Sequence, residues 1–193
     1  MAYPAPTEPA SPGRYSVEQY FALVDQGVLS PDDRVELLEG VVVAMSPRDP
    51  GHDAAVNRTL YALVRAVGER ATVRCQSSLI LQPHSVPEPD VVVVPGSIST
   101  YDKAHPTAAL LAVEVADSSL AQDRITKAAL YAAAGVPEYW IINLRDDRVE
   151  ALRAPTPEAG RYGDMRLAGR GDTIELVSLP GAVVAVNDLL PDR

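Results

Sequence analysis

Between residues 109 and 143 the chain reads as strand, helix and strand in immediate succession, and this constrains the fold more than any other feature. Leu110-Leu111-Ala112-Val113-Glu114-Val115-Ala116 is short and almost wholly apolar, the pattern of a strand buried on both faces. An alanine-rich segment from about 121 to 134 follows, stops at Gly135, and has Pro137 just beyond. Glu138-Tyr139-Trp140-Ile141-Ile142-Asn143 then returns as another buried strand, so a βαβ crossover is expected. Similar segments around 72 to 82 and 90 to 95 are expected to join the same sheet.

The flanking sequence fills in an α/β (α+β) architecture: a mixed sheet flanked by helices. Ser16 with Gln19 three residues on forms a capping-box pattern that opens a helix through Tyr20, Phe21 and Val24, ending near Gly27. Arg34 to Leu38, Glu39-Gly40 and Val41 to Met45 read as a β-hairpin. Val56, Leu60, Leu63, Val64 and Val67 lie on one helical face, predicting an amphipathic helix over about 52 to 69. After Val149-Glu150-Ala151-Leu152, short runs such as Thr173 to Val177 predict small antiparallel C-terminal additions.

A length of 193 residues, 47% of them hydrophobic, suits one domain over 15–193 with its core at about 30–153. The Pro- and Ala-rich residues 1–14 are expected to be a disordered lead-in. No apolar run approaches the roughly 20 residues that cross a bilayer, and the N-terminus lacks a signal-peptide layout. A cytoplasmic protein is therefore expected, with no membrane partner. The lone Cys75 excludes an intrachain disulfide, and no Cys/His zinc motif is present.

Several charged residues stand where charge is costly. Glu114 sits mid-strand among apolar neighbours, so a metal ion, a basic side chain or an opening to water must compensate it. Asp90 stands between Pro89 and Val91 to Val94, a carboxylate at the mouth of a second buried strand. Two carboxylates on neighbouring strands make a hard-oxygen site suited to Mg²⁺ or Mn²⁺; a strand-end Asp and a Glu satisfied by an arginine is the bland alternative. Asp123, Lys127, Leu130, Tyr131 and Ala134 share one helical stripe. Lys127 is then either a surface partner of Asp123 or a cation aimed at the sheet edge. Glu36 could extend the carboxylate cluster if its strand neighbours that of Asp90. His52, near the start of the long helix, could bond a phosphate or a carboxylate, or could cap the helix or stand in solvent.

The ordered set of these residues resembles the Uma family of restriction-type endonucleases, within the PD-(D/E)xK nuclease superfamily. The likeness spans roughly residues 15 to 153. It rests on Val35-Glu36-Leu37-Leu38-Glu39-Gly40, Met45-Ser46-Pro47 with His52, and Pro89-Asp90-Val91-Val92-Val93-Val94. It continues through Val113-Glu114-Val115 with Ser118, Asp123 and Lys127, and ends with Tyr131 through Trp140. The resemblance implies a restriction-endonuclease-like fold with Asp90, Glu114 and Glu36 as metal ligands for Mg²⁺ (or Mn²⁺). The superfamily lysine two residues after the Glu is replaced here by Ala116, and the family places it on the following helix, where Lys127 stands. Asn143 stands where the family often has Asp.

The implied activity is metal-assisted hydrolysis of DNA phosphodiesters. Asp90 and Glu114 hold the ion, Lys127 assists the attacking water, Glu36 binds a second ion or an outer water, and His52 contacts a phosphate. Nucleases that cut both strands generally act as dimers, so a homodimer is implied. A net charge of −9 opposes DNA affinity, which rests on Lys and Arg displacing counterions, although Arg58, Arg65, Arg70 and Arg74 could form a local basic strip. The rivals are a nucleic-acid-binding module that does not cut, and a metal-dependent hydrolase of a small phosphate substrate.

Overall fold

The structure, a computed structural model, describes residues 13–30 and 32–192. Most of the expected disordered lead-in, residues 1–12, lies outside the described residues. The first element, α1 (Val17–Asp25), starts at the capping box, with Ser16 Oγ accepting from Gln19 N and Gln19 Oε1 accepting from Ser16 N at 2.8 Å. The hairpin follows as β1 (Val35–Leu38) and β2 (Val41–Ala44). Its two turn residues, Glu39 and Gly40, have φ of 48° and 83°, the left-handed pair a tight hairpin requires. A Cβ on Gly40 would fall 2.8 Å from the Arg14 Cβ, so this position needs glycine for space as well as conformation.

The central sheet has six strands in the order β3-β4-β5-β6-β7-β8. They are β3 (Thr72–Cys75), β4 (Val91–Val94), β5 (Leu111–Ala116), β6 (Glu138–Asn143), β7 (Arg148–Thr156) and β8 (Arg161–Gly169). The β5–β6 pair is parallel, the expected crossover, and the other neighbours are antiparallel. Every residue of β4, β5 and β6 is buried, because helices cover both faces.

On one face lies α2 (Pro50–Val67), whose Asp49 cap accepts from the Gly51 and His52 amides and whose first residue is proline. Its Ala55, Val56, Leu63 and Val67 pack on Val91, Val93, Val113, Trp140 and Ile142. The other face is covered by α3 (Leu120–Gln122), a five-residue π turn (Asp123–Lys127) and α4 (Ala128–Ala133). Leu130 and Tyr131 pack there against Val92, Val94, Ala112, Tyr139 and Ile141.

Three details differ from the sequence-based expectations. The strand expected over 72–82 ends at Cys75, because Gln76 turns to φ 45° and the chain runs irregularly to Asp90. The alanine-rich helix is interrupted by the π turn, which side-chain periodicity does not reveal. The C-terminal part contributes more than small additions: β8 is a full nine-residue strand of the main sheet, and only β9 (Thr173–Glu175) with β10 (Val183–Ala185) forms a separate small pair. This tail is anchored by Glu138, fully buried, which accepts from Trp140 Nε1 at 2.8 Å, Arg153 Nε at 2.8 Å and Val177 N at 2.9 Å. Among the described residues, no helix is long and apolar enough to cross a membrane.

The face that α2 buries is open to a direct test. Leu63 is wholly buried while Tyr61, two residues away, is 70% exposed. Leu63→Ala is expected to cost about 2–5 kcal/mol of stability in urea unfolding, and Tyr61→Ala about 0.5 kcal/mol or less.

Candidate active site

Glu114 shares its side of β5 with Ala112 and Ala116, since alternate residues of a strand face the same way. These small neighbours leave room for long side chains descending from the helix above. Two arrive: Lys127 Nζ lies 2.9 Å from Glu114 Oε1, and the Tyr131 hydroxyl donates to the same oxygen at 2.8 Å. Lys127 also lies 3.1 Å from Glu36 Oε2. Its side chain is 9% exposed, so the surface pairing with Asp123 is not what the lysine does.

Glu36 reaches this ammonium from the separate β1–β2 hairpin. The hairpin is joined to the chain before β4 by paired hydrogen bonds between Leu37 and Val86, and the Glu88 amide donates to Glu36 Oε2 at 3.2 Å. β1 and β4 are therefore not paired strands, and the proximity of Glu36 comes from the irregular connection over 76–90 instead.

Asp90 is held from three sides. The Val115 amide donates to Oδ2 at 2.9 Å, His52 Nε2 lies 3.1 Å from the same oxygen, and Gln76 Nε2 reaches Oδ1 at 3.4 Å. Of the alternatives open for His52, the structure shows the bond to a carboxylate. Glu36, His52, Asp90, Glu114 and Lys127 line one pocket together with Glu88, Asp123, Arg34 and Arg48.

The pocket divides its carboxyl groups electrostatically. Burial pushes Glu114 up to about 8, with Asp90, Asp123 and Glu36 adding to the rise and Lys127 opposing it. Burial would lower Lys127, but Glu114 and Glu36 outweigh it and hold the amine protonated. Burial lifts Asp123 to about 6 despite the Ser119 hydroxyl donating to it at 2.7 Å. Asp90 runs the other way, because the His52 contact and the Val115 amide overcome its burial and lower its pKa.

Asp123 and Glu88 are pocket acids that carried no assigned role in the sequence reading. Asp123 appeared in the helix stripe, but the π turn that brings both it and Lys127 under cover was not visible. Glu88 was missed, although Pro87-Glu88-Pro89-Asp90 is an extended stretch in which residues two apart share a face, a signal that could have found it. Arg34 and Arg48 gave no signal. The suggested basic strip is otherwise engaged: Arg58 pairs with Asp192, Arg65 with Asp188, Arg70 donates to backbone carbonyls, and Arg74 lies over the Tyr101 ring.

The sequence matches the Uma2 family, described as "Putative restriction endonuclease", over residues 17–187. The chain belongs to the Uma2 family. No curated protein matches it. Among solved structures it is similar to a crystal structure from Anabaena variabilis ATCC 29413 described as a "putative nuclease". The two share 15% identity with a TM-score of 0.66, covering 90% of this chain and 96% of that one. At that identity the likeness establishes a common fold.

The oxygen donors at the sheet suit a hard divalent cation. Mg²⁺ prefers oxygen ligands and binds through one or two carboxylates while keeping several waters. Asp90 and Glu114 supply such a pair on adjacent strands of this Uma2 fold. Among the described residues, no three His, Cys, Asp or Glu groups are arranged to hold an ion. Glu36, bonded to Lys127 and to the Glu88 amide, fits an outer position better than a third ligand.

The His52–Asp90 pair has a defined pH window. His52 is raised above its ordinary 6.5 by Asp90, which more than offsets burial, so its contribution is complete below that value and lost as pH rises through the raised one. Asp90 is lowered below 3.8, so its contribution is lost only as pH falls through the lowered value. The stability cost of His52→Gln, measured by urea unfolding, is therefore expected to be greater at about pH 5.5 than at about pH 8.5.

Proposed function

We propose that this Uma2 protein is a metal-dependent nuclease that hydrolyses phosphodiester bonds of DNA. The observation that carries the reading is the buried Lys127 ammonium, held between Glu114 and Glu36 in the pocket that Asp90 lines. A protein gains little stability from burying such a cluster, since desolvation offsets most of the attraction. Chemistry on a phosphate gives the arrangement a purpose.

Asp90 and Glu114 would hold the Mg²⁺ or Mn²⁺ ion. When bound, the ion supplies positive charge to the phosphate and acidifies water. Lys127 remains protonated, so it serves as a fixed positive charge for the attacking water and the developing phosphorane, not as a proton acceptor. Glu36 orients Lys127 and an outer water. His52 holds Asp90 in place through Nε2, and its role is orientation of that carboxylate more than contact with phosphate. Tyr131, donating to Glu114 from a wholly buried position, fixes the second carboxylate in the same way.

The charge of −9 is a feature of the whole chain, whereas Arg34 and Arg48 line the pocket where a phosphate would enter. The test is cleavage of plasmid and single-stranded DNA with Mg²⁺ or Mn²⁺, with and without a chelator. Wild-type cutting is expected to require the metal, and Asp90→Asn, Glu114→Gln and Lys127→Ala are each expected to lower it by about a thousandfold or more. Circular dichroism melts establish that each variant is folded. A folded wild type that binds metal, leaves every nucleic acid intact and hydrolyses a small phosphate ester would replace this reading with the small-substrate hydrolase. One that binds DNA without cutting would replace it with the binding module.

A further inference from the structure

β8 closes one side of the sheet with nine residues whose only strand partner among the described residues is β7. The opposite edge, β3, has four residues. Proteins usually blunt a long edge with proline, a cover or a row of like charges. Arg161–Gly169 contains no proline, and it presents Met165 and Leu167 at 56% and 49% exposure. Alternating with them are Asp164 and Arg166, both exposed and with no ion pair among the described residues.

We propose that β8 is the interface of a homodimer, pairing antiparallel with β8 of a second copy about a two-fold axis at Met165. In an antiparallel ladder, opposite residues either both direct their main-chain hydrogen bonds across the pair or both direct them away. That direction alternates along each strand, so two identical strands can pair only with some residue opposite its own copy. With Met165 on the axis, Asp164 of each chain stands opposite Arg166 of the other, giving two ion pairs. Leu167 stands opposite Gly163, which has no side chain to obstruct it. Moving the axis one residue either way sets Asp164 against Asp164 or Arg166 against Arg166. The charge order of β8 therefore selects both the occupant, a second copy of this strand, and its register.

A seam of this length is smaller than the roughly 1,200 Å² of a tight interface, so the association depends on concentration. The proposal stands on the strand and not on the nuclease reading, and its test does not involve DNA. Sedimentation velocity on the full chain between about 1 and about 200 µM is expected to show a monomer–dimer equilibrium. Asp164→Arg and Arg166→Asp are each expected to weaken dimerisation about tenfold, and the double variant to restore it to within about threefold. These side chains are exposed, and thermal melts check that each variant is folded. A monomer at every concentration overturns the proposal, as does a dimer unaffected by either single change. A double variant that fails to recover overturns the register on which it rests.

Discussion

A carboxylate in the middle of a strand buried on both faces needs a partner that the strand itself cannot supply. Glu114 is in that position, and much of the surrounding architecture serves its need. Alanines on either side along the same face leave the space, and the crossover helix brings Lys127 and Tyr131 down into it. Lys127 is itself too buried to rest on one carboxylate, and the hairpin brings Glu36 to its other side. Sheet, crossover and hairpin thus meet at one ammonium group. Removing Lys127 would leave two buried carboxyl groups with no cation between them.

The other half of the pocket follows a different logic. Asp90 lies where strand β4 begins and can be held by a backbone amide, that of Val115 on the neighbouring strand. With His52 added from the helix on the opposite face, it stays ionised where Glu114 tends to keep a proton. Adjacent carboxyl groups with opposed pKa shifts characterise sites that handle charge more than sites that merely pack. The Uma2 assignment agrees with that contrast without being needed to see it.

Much of this was legible in the sequence, for identifiable reasons. The βαβ crossover, the capping box at Ser16, the Glu39-Gly40 turn and the amphipathic helix are all written in local patterns of period 2 or 3.6, or in turn chemistry. Glu114 and Asp90 stood out because charge among valines and leucines is expensive. The length of β3 was not legible, since the apolar residues from 79 to 81 pack without joining the sheet. Nor was β8, whose exposure on both faces removes the alternation that identifies a strand. Lys127 could be assigned from the residues in either of two ways, because its side chain shares a stripe with both an acid and an apolar surface. The deciding geometry comes from a backbone irregularity that no side-chain pattern encodes.

That irregularity is the π turn from Asp123 to Lys127, and it behaves as one residue too many in an otherwise α-helical segment. An α-helix advances about 100° per residue, so the extra residue swings everything after it around the axis relative to what precedes it. The chemistry of the site is thereby tied to chain length as well as to chain composition. Substituting side chains from Arg124 to Thr126 would leave the backbone count, and with it the direction of Lys127, as it is. Removing a single one of these residues would relax the helix and turn the lysine and Tyr131 away together. A deletion of one residue would therefore take apart a pocket whose every side chain is still present.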